Sequence, residues 1–304
     1  VRDAIEHGVE VRHVDVNDSI WDNTLEGNAG PLALQLGFRQ VDGFKQDWAE
    51  ILAARRGNRF SSVDNLARRT ELPKRALVIL AEADCFQSLE QDRREALWAV
   101  RRLPDSEDLP LFAIQRVEEQ EEENIDALPL MPLSEHVLAD YQMLRFSLKA
   151  HLMRFLREML DEEGVFSCHD VTGDMEDQNP KCKDGDHVIC AGIVLTRQMP
   201  GDAGVVFVTL SDETGVTNVV VWPDLVKAFR AEIMGARMMV VEGKVQRSEE
   251  GVVHLVAERI FDRTYELDRL SEDYGTQHAR KWKGRHVHRH PRNVRVVPKS
   301  RDFH

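Results

Sequence analysis

The sequence predicts a multidomain α+β protein: a helical region with paired hairpins, then a closed five-stranded barrel, then a disordered basic tail. Three observations carry this prediction. Amphipathic helical patterns fill most of residues 32–103. Five runs rich in β-branched residues, each of strand length, lie between residues 187 and 262. After residue 274 the chain is basic, rich in histidine and poor in apolar residues, which is typical of disorder.

Length and composition indicate a protein with substantial cores and no membrane anchor. A chain of 304 residues with 42% hydrophobic content is long enough for two or three domains. No apolar run approaches membrane-spanning length and no signal peptide is recognisable, so we expect a cytoplasmic protein. The four cysteines form no CxxC pair and fit a reduced protein better than a disulfide scaffold. Because the chain begins at Val1 without a methionine, we expect a piece of a longer protein.

The charges are distributed unevenly along the chain. A net charge of −13 argues weakly against a nucleic-acid binder. However, nearly all charges between residues 105 and 126 are acidic, and nearly all between residues 280 and 301 are basic. Local fields matter more than the sum when phosphates are bound, so nucleic acid remains a possible partner.

The first candidate contact is a tight turn at residues 41–44, followed by an amphipathic pattern over residues 46–55. A turn with one glycine directly before a helix is the sequence form of a helix–hairpin–helix. The glycine permits close backbone approach, and the amides at the start of the helix can bind a phosphate. The predicted DNA-binding residues here are Val41, Gly43, Phe44 and Lys45.

A second hairpin follows at residues 70–73, between a helix capped by serine and a helix with Pro73 in its first turn. This turn has no glycine, so its phosphate site has less support. The predicted DNA-binding residues are Leu72, Lys74 and Arg75. Contacts at both hairpins would be independent of base sequence and sensitive to salt. The alternative is that both are plain turns between packed helices.

The order of elements between residues 184 and 264 predicts the oligonucleotide-binding (OB) fold. Most of the strand runs are separated by turn sequences, at residues 200–202, 212–215 and 249–251. The one long connection, residues 223–235, has helical spacing and starts with a proline. Three strands, a helix and two strands is the order of the OB barrel, which binds nucleic acid on a strand face. Gly192 and Gly243 lie inside strands, where a closing barrel needs tight bends.

Five barrel residues are candidates for contact with single-stranded nucleic acid. Phe207 and Trp222 can stack bases, although one or both could instead belong to the core. Arg197, Lys244 and Arg247 lie near strand ends and could hold phosphates, the alternative being solvated charges at the rim. The fold alone does not prove DNA binding, because many barrels of this kind bind protein or nothing.

Several stretches resemble the C-terminal part of bacterial C-family DNA polymerases. More narrowly, they resemble the error-prone paralogue of the DNA polymerase III alpha subunit, which belongs to the mutasome. The stretches that carry the resemblance are residues 14–19, 36–38, 41–43, 80–86, 93–98, 207–215, 218–222 and 300–304. The likeness covers nearly the whole chain. The final Ser-Arg-Asp-Phe-His is unusually specific and indicates that His304 is the true C terminus.

The resemblance implies a domain order and a parent activity. The implied segments are the end of the fingers region (1–31), tandem helix–hairpin–helix motifs (32–103), an acidic linker (104–132), a helical connector (133–183), the OB fold (184–264) and a basic tail (265–304). The parent would be a DNA-directed DNA polymerase for damage-induced mutagenesis and translesion synthesis. The family's catalytic carboxylates and their Mg2+ belong to an upstream palm domain. No segment here matches that palm, so we expect no catalytic residue, no cofactor and no activity from this chain alone.

The resemblance also implies partners. Replicative members of the family hold the sliding clamp through a Gln-Leu-x-Leu-Phe-like peptide between the hairpins and the barrel. In that place this chain has a degenerate version made of Asp108, Leu109, Leu111 and Phe112. A charged aspartate in place of the glutamine amide should weaken docking into an apolar pocket, so we predict weak or no direct clamp binding. The family instead implies an accessory protein related to Y-family polymerases. Primer–template duplex and single-stranded template DNA are the nucleic-acid partners expected, and no membrane is expected.

Other readings of the sequence have less support. A protein-interaction module that recruits mutasome partners with little DNA contact is the main alternative. An anticodon-binding domain of an aminoacyl-tRNA synthetase shares the barrel but is disfavoured by the hairpin pair and the C-terminal stretch. The possible zinc ligands are Cys168, His169, Cys182, His286, His288 and His290. Their spacing fits no standard structural site, so we predict no metal.

Overall fold

The computed structural model describes residues 1–27, 32–104, 131–173, 181–248, 251–270 and 301–303. The chain divides into two compact units, each with its own hydrophobic core. The first unit is Val1–Pro132 with Met143–Leu148, and the second is Leu133–Gln142 with Lys149–His304. Six residues of the predicted connector therefore belong to the first unit. Among the described residues, no helix is both long enough and apolar enough to span a bilayer.

The first unit is mainly helical, as the amphipathic patterns predict, with one small sheet. Its elements are α1 (Arg2–Glu6), β1 (Glu10–Arg12), β2 (Thr24–Glu26), β3 (Ala33–Gln35), α2 (Gln46–Arg56), α3 (Val63–Thr70), α4 (Lys74–Glu82) and α5 (Arg93–Arg102). Strand β3 lies between β1, to which it is parallel, and β2, to which it is antiparallel. A short 3-10 turn, Phe38–Gln40, precedes the first hairpin. Phe38, Leu52 and Phe86 are fully buried in the core, and each contributes roughly 1.5–3 kcal/mol to the free energy of folding.

Residues 14–19, one of the stretches behind the family resemblance, form a buried polar tie in the first unit. The Asp15 carboxylate accepts the amides of Asn17 at 2.7 Å and Ser88 at 2.9 Å. The Asn17 side chain accepts the Phe60 amide at 2.7 Å and donates to the Phe60 carbonyl at 3.1 Å. Because buried polar groups need such partners, this stretch joins three distant segments of one core. Its role here is structural.

The second unit contains short helices around a barrel. Its elements are α6 (Leu133–Met143, whose last residue belongs to the first unit), α7 (Arg157–Glu162), α8 (Cys168–Thr172), β4 (His187–Gln198), β5 (Val206–Ser211), β6 (Val216–Val221), α9 (Pro223–Ala228), α10 (Arg230–Gly235), β7 (Met238–Arg247), β8 (Val253–Asp262) and β9 (Arg301–Phe303). The helical pattern that the sequence shows from residue 134 onward is interrupted after Met143. Arg145, at φ 70°, has a left-handed backbone that ends the helix.

Strands β4 to β8 close into a barrel, as predicted. Their order around it is β5–β6–β8–β7–β4, and β4 pairs again with β5 to complete the ring. All neighbours are antiparallel except β6 and β8. Helices α9 and α10 connect β6 to β7, which gives the three-strand, helix, two-strand order of the OB fold.

Two glycines mark the bends of the barrel, as the sequence predicts. Strand β4 pairs with β7 up to Ile193 and with β5 from Ile193 onward. At Gly192, directly before this change of partner, a Cβ would lie 2.9 Å from the Ser211 carbonyl oxygen. At Gly243, where the β7–β8 register shifts, a Cβ would lie 2.1 Å from the Val256 carbonyl oxygen. Any larger residue would push these strands apart.

The turn between β5 and β6 is fixed by Asp212, which is 2% exposed. One carboxylate oxygen accepts the Thr214 and Gly215 amides at 2.8 and 3.0 Å. The other accepts the Cys168 amide at 2.7 Å and the Arg157 guanidinium at 2.8 Å. The Asp-Glu-Thr-Gly stretch of the family resemblance thus ties α7 and α8 to the barrel.

Two stretches of the segment assigned to the basic tail, residues 265–304, are described. Thr264–Leu270 forms a 3-10 helix with Leu267 fully buried in a core cluster, and it lies before residue 274, after which the composition predicts disorder. Arg301–Phe303 forms β9, which pairs in parallel with the end of β4. An open strand edge of β4 accounts for this pairing. Residues 271–300 and His304 lie outside the described part of the chain.

Candidate nucleic-acid interface

The first hairpin is the turn between the 3-10 segment and α2. Gly43 has φ 77°, a backbone conformation that favours glycine. A Cβ there would have room, since its nearest neighbour is the Ile79 Cδ1 at 3.8 Å, so conformation rather than space requires the glycine. The side chains of Val41 and Phe44 are buried, at 3% and 6% exposure. A phosphate at this turn would therefore meet backbone amides.

Only some of those amides are available, which corrects the sequence-based expectation for Val41 and Phe44. The Val41 amide donates to the Phe38 carbonyl at 3.0 Å, and the Phe44 amide donates to the Val41 carbonyl at 3.2 Å. The Asp42 amide donates to the Met143 carbonyl at 2.8 Å. Within the described chain, no acceptor is found for the Gly43 amide. The available donors are thus Gly43 and the first turn of α2.

The second hairpin joins α3 to α4 and differs in its chemistry. Glu71 takes the left-handed conformation, at φ 52°, that a glycine would favour. Its amide donates to the Ala67 carbonyl at 2.9 Å. Leu72 is 7% exposed and belongs to the core, so it contributes no side-chain contact to a ligand. Pro73, which has no amide hydrogen, precedes the first turn of α4.

The N-termini of helices α2 to α5 fall into two classes. Ser62 caps α3 by accepting the Asn65 amide, and Asp92 caps α5 in a reciprocal arrangement with Glu95. By contrast, α2 and α4, the two helices that follow the hairpins, have no side-chain cap. Their first-turn amides therefore keep the capacity to bind an external anion, which the helix dipole favours.

Basic side chains accompany both uncapped helices. Lys45 precedes α2, and its Nζ lies 5.1 Å from the centre of the Trp48 ring. Lys74 and the exposed Arg75 are the first two residues of α4. These are the three cations that the sequence singles out.

The sequence analysis missed two further basic residues that lie beside the second hairpin. Lys74 Nζ donates to the carbonyls of Arg101 at 3.2 Å and Leu103 at 3.0 Å, which places the end of α5 beside the start of α4. Arg101 and Arg102 occupy the last turn of α5. The guanidinium of Arg102 lies 4.4 Å from the centre of the Trp98 ring. Only this tertiary contact assigns them to the hairpin, and nothing in the local sequence could have done so.

The two aromatic candidates of the barrel share its outer face. Phe207 is half-buried between the buried Val206 and Val208, so it faces outward, opposite Val220 of β6. Trp222 follows two residues after Val220 in extended backbone and is 55% exposed. Such diagonal positions on neighbouring strands are about 7–8 Å apart. Two bases of one strand can therefore stack on this pair.

Next to the aromatic pair runs a row of uncharged polar residues. In strand order they are Thr196, Thr209, Asn218, His254 and Gln246, each directly opposite the next. The Thr209 hydroxyl donates to Oδ1 of the Asn218 side chain at 3.0 Å. The Nδ1 of His254 is buried and, among the described residues, has no hydrogen-bond partner. The row offers hydrogen bonds without formal charge.

The position of Arg197 does not support the predicted phosphate contact. It is 6% exposed, and its guanidinium donates to the carbonyls of Ile233 and Ala236. It therefore satisfies the C-terminal carbonyls of α10, which a cation at that end of a helix stabilises. The alternation pattern identified a strand residue but could not show what its long side chain reaches.

The other two barrel cations are also engaged within the protein. Arg247 donates to three backbone carbonyls, those of Val171 (2.8 Å), Thr172 (3.0 Å) and Cys182 (3.1 Å). Lys244 Nζ lies 3.6 Å from a Glu258 carboxylate oxygen at the surface. Arg247 thus links β7 to the backbone of other segments and is not a solvated charge at the edge of the barrel. Lys244 faces a carboxylate that a phosphate would have to displace.

Two family models match the chain, one in each unit. The model described as "Helix-hairpin-helix motif" matches residues 8–96. The model described as "OB-fold nucleic acid binding domain" matches residues 188–262. Their limits enclose both hairpins and, except for His187 at the start of β4, all five barrel strands.

Curated relatives match the chain from end to end. A protein of Rhodopseudomonas palustris (strain BisA53), named "Error-prone DNA polymerase", is 49% identical over 339 residues, which is 100% of this chain and 29% of that protein. The protein of the same name from Brucella abortus biovar 1 is 49% identical over 306 residues, covering 100% of this chain and 27% of its own length. The whole chain is homologous to a segment of error-prone DNA polymerases. It spans less than a third of the length of these two relatives.

The similarity to solved structures adds no further argument. The asparaginyl-tRNA synthetase from Pyrococcus horikoshii is 23% identical over 38% of this chain and 30% of its own, with a TM-score of 0.26. A similarity at that level does not support the anticodon-binding alternative.

Two of the sequence predictions remain, which concern the clamp-type peptide and the candidate zinc ligands. The clamp-type residues Asp108, Leu109, Leu111 and Phe112 lie outside the described residues. In the described part, no group of three or more histidine, cysteine or acidic residues is arranged to hold a metal. Cys168 and Cys182 are both buried. The neighbouring Cys190 thiol and burial raise the pKa of Cys168, which keeps that thiol protonated.

Proposed function

We propose that this chain is the DNA-binding part of an error-prone DNA-directed DNA polymerase that acts in damage-induced mutagenesis and translesion synthesis. Its hairpin unit binds duplex phosphates and its barrel binds single-stranded template. Nucleotidyl transfer and its Mg2+ belong to the remainder of such a polymerase. The homology to error-prone polymerases and the two nucleic-acid-binding folds support this assignment.

The observation that carries the proposal is the difference between the N-termini of the four helices at and beside the hairpins, α2 to α5. Capping is worth about 1 kcal/mol, so an uncapped helix start is a cost that needs a compensating partner. Here α2 and α4 lack side-chain caps; Lys45 directly precedes α2, and Lys74 and Arg75 are the first residues of α4. A phosphate would complete them through amide hydrogen bonds and charge together.

The barrel supports a different kind of contact. Its outer face presents Phe207 and Trp222 beside an uncharged polar row, while Arg197 and Arg247 are used internally. Binding there would depend on base stacking and hydrogen bonds more than on phosphate neutralisation. We therefore propose that duplex binding is strongly sensitive to salt and that single-strand binding is less so.

The test is a salt titration of binding to primer–template DNA by fluorescence anisotropy. We expect the slope of log affinity against log salt to fall by roughly 0.9 for each phosphate that a variant no longer neutralises. The variant Lys45→Ala with Arg75→Ala should flatten the slope and weaken binding. Arg12→Ala, which removes an exposed cation from β1, is the matched control and should change neither.

An unchanged slope in the double variant would contradict the hairpin assignment. Binding that persists at high salt, and that depends on an added partner protein, would instead favour the protein-interaction module. Even if the hairpin assignment fails, the barrel would be shown to bind DNA if Phe207→Ala abolishes single-strand binding and leaves the fold intact.

The protein partners are a second part of the proposal. The family resemblance implies an accessory protein related to Y-family polymerases and weak or no direct binding to the sliding clamp. A synthetic peptide of residues 106–114 titrated into the clamp tests this directly. We expect no saturation at micromolar peptide, and an Asp108→Gln peptide should bind more tightly. Micromolar or tighter binding of the natural peptide would overturn the expectation.

A further inference from the structure

Asn218 begins the 218–222 stretch of the family resemblance, and the function proposed above uses only Trp222 of that stretch as a contact. Outward and buried positions alternate in this part of β6: Asn218 is exposed, and the next residue, Val219, is fully buried. Asn218 therefore lies on the same outer face of the barrel as Phe207 and Trp222.

Asn218 and Trp222 lie on either side of the position opposite Phe207. Phe207 pairs with Val220 of β6. Asn218 is two residues before Val220, and Trp222 is two residues after it in extended backbone. Both are thus diagonal neighbours of Phe207, at about 7–8 Å. A base stacked on the Phe207 ring can therefore present its hydrogen-bonding edge to Asn218.

Two threonine hydroxyls fix the orientation of the Asn218 amide. Thr196 Oγ1 donates to Thr209 Oγ1 at 3.4 Å, and Thr209 Oγ1 donates to Asn218 Oδ1 at 3.0 Å. A hydroxyl has one proton, so Thr209 gives its proton to Asn218 and accepts that of Thr196. The amide oxygen of Asn218 is thus engaged, and its NH2 group is directed away from Thr209. Among the described residues, no acceptor is found for this NH2 group.

The neighbours of Asn218 favour an uncharged ligand for this donor. Its partners across the sheet are Thr209 on one side and His254 on the other, both in the polar row. Thymine and guanine present carbonyl oxygens, which accept from an NH2 group. Adenine presents an amino donor beside a ring-nitrogen acceptor, and asparagine reads that pattern with its oxygen and nitrogen together. Here the oxygen is engaged by Thr209, so the amide suits a base carbonyl better than adenine.

We propose that Asn218 reads bases on the barrel by donating to a carbonyl oxygen of a base stacked on Phe207, and that Thr209 is the positioning residue for its amide. The inference rests on the single-strand binding proposed for the barrel and adds a base preference to it. Of the two bases compared below, thymine is favoured over adenine.

The experiment compares oligo(dT) and oligo(dA) of equal length, by fluorescence anisotropy with the full chain at raised salt, where phosphate contacts contribute less. The measured quantity is the ratio of the two dissociation constants. Stacking within free oligo(dA) affects every variant alike, so a change in the ratio reports on the protein. Asn218→Ala should weaken binding of oligo(dT) about three- to tenfold, the contribution of one hydrogen bond, and leave oligo(dA) unchanged.

Thr209→Val and Thr209→Ser test the positioning role. Valine keeps the shape of threonine but cannot donate to Asn218 Oδ1, so the preference for oligo(dT) should fall toward that of Asn218→Ala. Serine keeps the hydroxyl and should retain the parental ratio. A parental ratio in Thr209→Val would overturn the positioning role.

The parental ratio in Asn218→Ala would overturn base reading by Asn218. If Phe207→Leu weakens binding of both oligonucleotides in that case, the single-strand function of the barrel still stands. A parent chain that binds neither oligonucleotide would overturn that function and the inference together.

Discussion

Lys74 Nζ donates to the Leu103 carbonyl oxygen at 3.0 Å, and through this contact the end of α5 meets the start of α4. The last carbonyls of α5 gain a cation, which stabilises that end of the helix. The same contact brings Arg101 and Arg102 to the second hairpin, whose first helical residues are Lys74 and Arg75. Two basic residues at the start of α4 and two in the last turn of α5 therefore belong to neighbouring helix ends, one of them uncapped.

The first prediction concerns those added arginines. Arg101→Ala with Arg102→Ala should weaken binding to duplex DNA and lower the salt slope by roughly 0.9 for each phosphate that is no longer neutralised. Arg101 is exposed, whereas Arg102 is half-buried against the Trp98 ring, so the double variant should also lose about 0.5–1 kcal/mol of stability from that contact. Arg12→Ala in β1 is the control. A parental salt slope in the double variant would show that these arginines touch no phosphate.

The second prediction concerns Glu71, whose left-handed backbone costs about 1–2 kcal/mol in a residue with a side chain. Glu71→Gly should relieve that strain and remove a carboxylate from the second hairpin. We expect an unfolding temperature at or above that of the parent chain and tighter binding to duplex DNA at low salt.

Glu71→Ala separates the two effects, since it removes the charge and keeps the strained backbone. It should raise DNA affinity as the glycine variant does, without the gain in stability. If neither variant binds DNA more tightly, the second hairpin is a turn between helices and the DNA contact is confined to the first.

The fold was predictable where physical constraints are local. Alternating β-branched residues, turn sequences and one helical connection define the barrel order, and Gly192 and Gly243 lie where strands approach too closely for a Cβ. The outward orientation of Phe207 also follows from alternation with Val206 and Val208. Each of these inferences uses residues close together in the chain.

The remainder depends on contacts between distant residues, which no local pattern contains. The position of Arg197 near a strand end predicts a contact with phosphate, yet its guanidinium donates to carbonyls at the end of α10. Arg101 joins the second hairpin only because Lys74 reaches across to α5. Strand β9 forms in a segment of disorder-like composition because β4 has an open edge elsewhere in the sequence.

The third prediction concerns Asp212, which accepts the Cys168 amide and the Arg157 guanidinium while 2% exposed. Asp212→Ala leaves the buried Cys168 amide without its acceptor, at a cost of about 1–3 kcal/mol, while Arg157 keeps the Glu213 carboxylate at 2.5 Å. Asp212→Ala should lower the free energy of unfolding of the barrel unit by that amount in urea denaturation.

Asp224→Ala is the matched control for this variant. Asp224 also pairs with a cation in the same unit, Lys227, but its side chain is 99% exposed. Exposed pairs of this kind contribute about 0–1 kcal/mol, so its urea midpoint should stay near that of the parent chain. Equal midpoints for the two variants would show that the Asp212 tie contributes nothing to stability.

The fourth prediction separates a structural arginine from an aromatic residue of the same barrel for which we propose DNA binding. Arg197→Met should lower the free energy of unfolding by about 2–3 kcal/mol, since it removes the charge-assisted hydrogen bonds to the Ile233 and Ala236 carbonyls. Measured below its unfolding transition, it should bind oligo(dT) as the parent chain does. Phe207→Ala should do the opposite, with little change in urea midpoint and binding weakened about fivefold or more. If Arg197→Met instead keeps its stability and loses affinity with a flatter salt slope, Arg197 leaves the α10 carbonyls for phosphate when DNA binds, and the phosphate role predicted from sequence is restored.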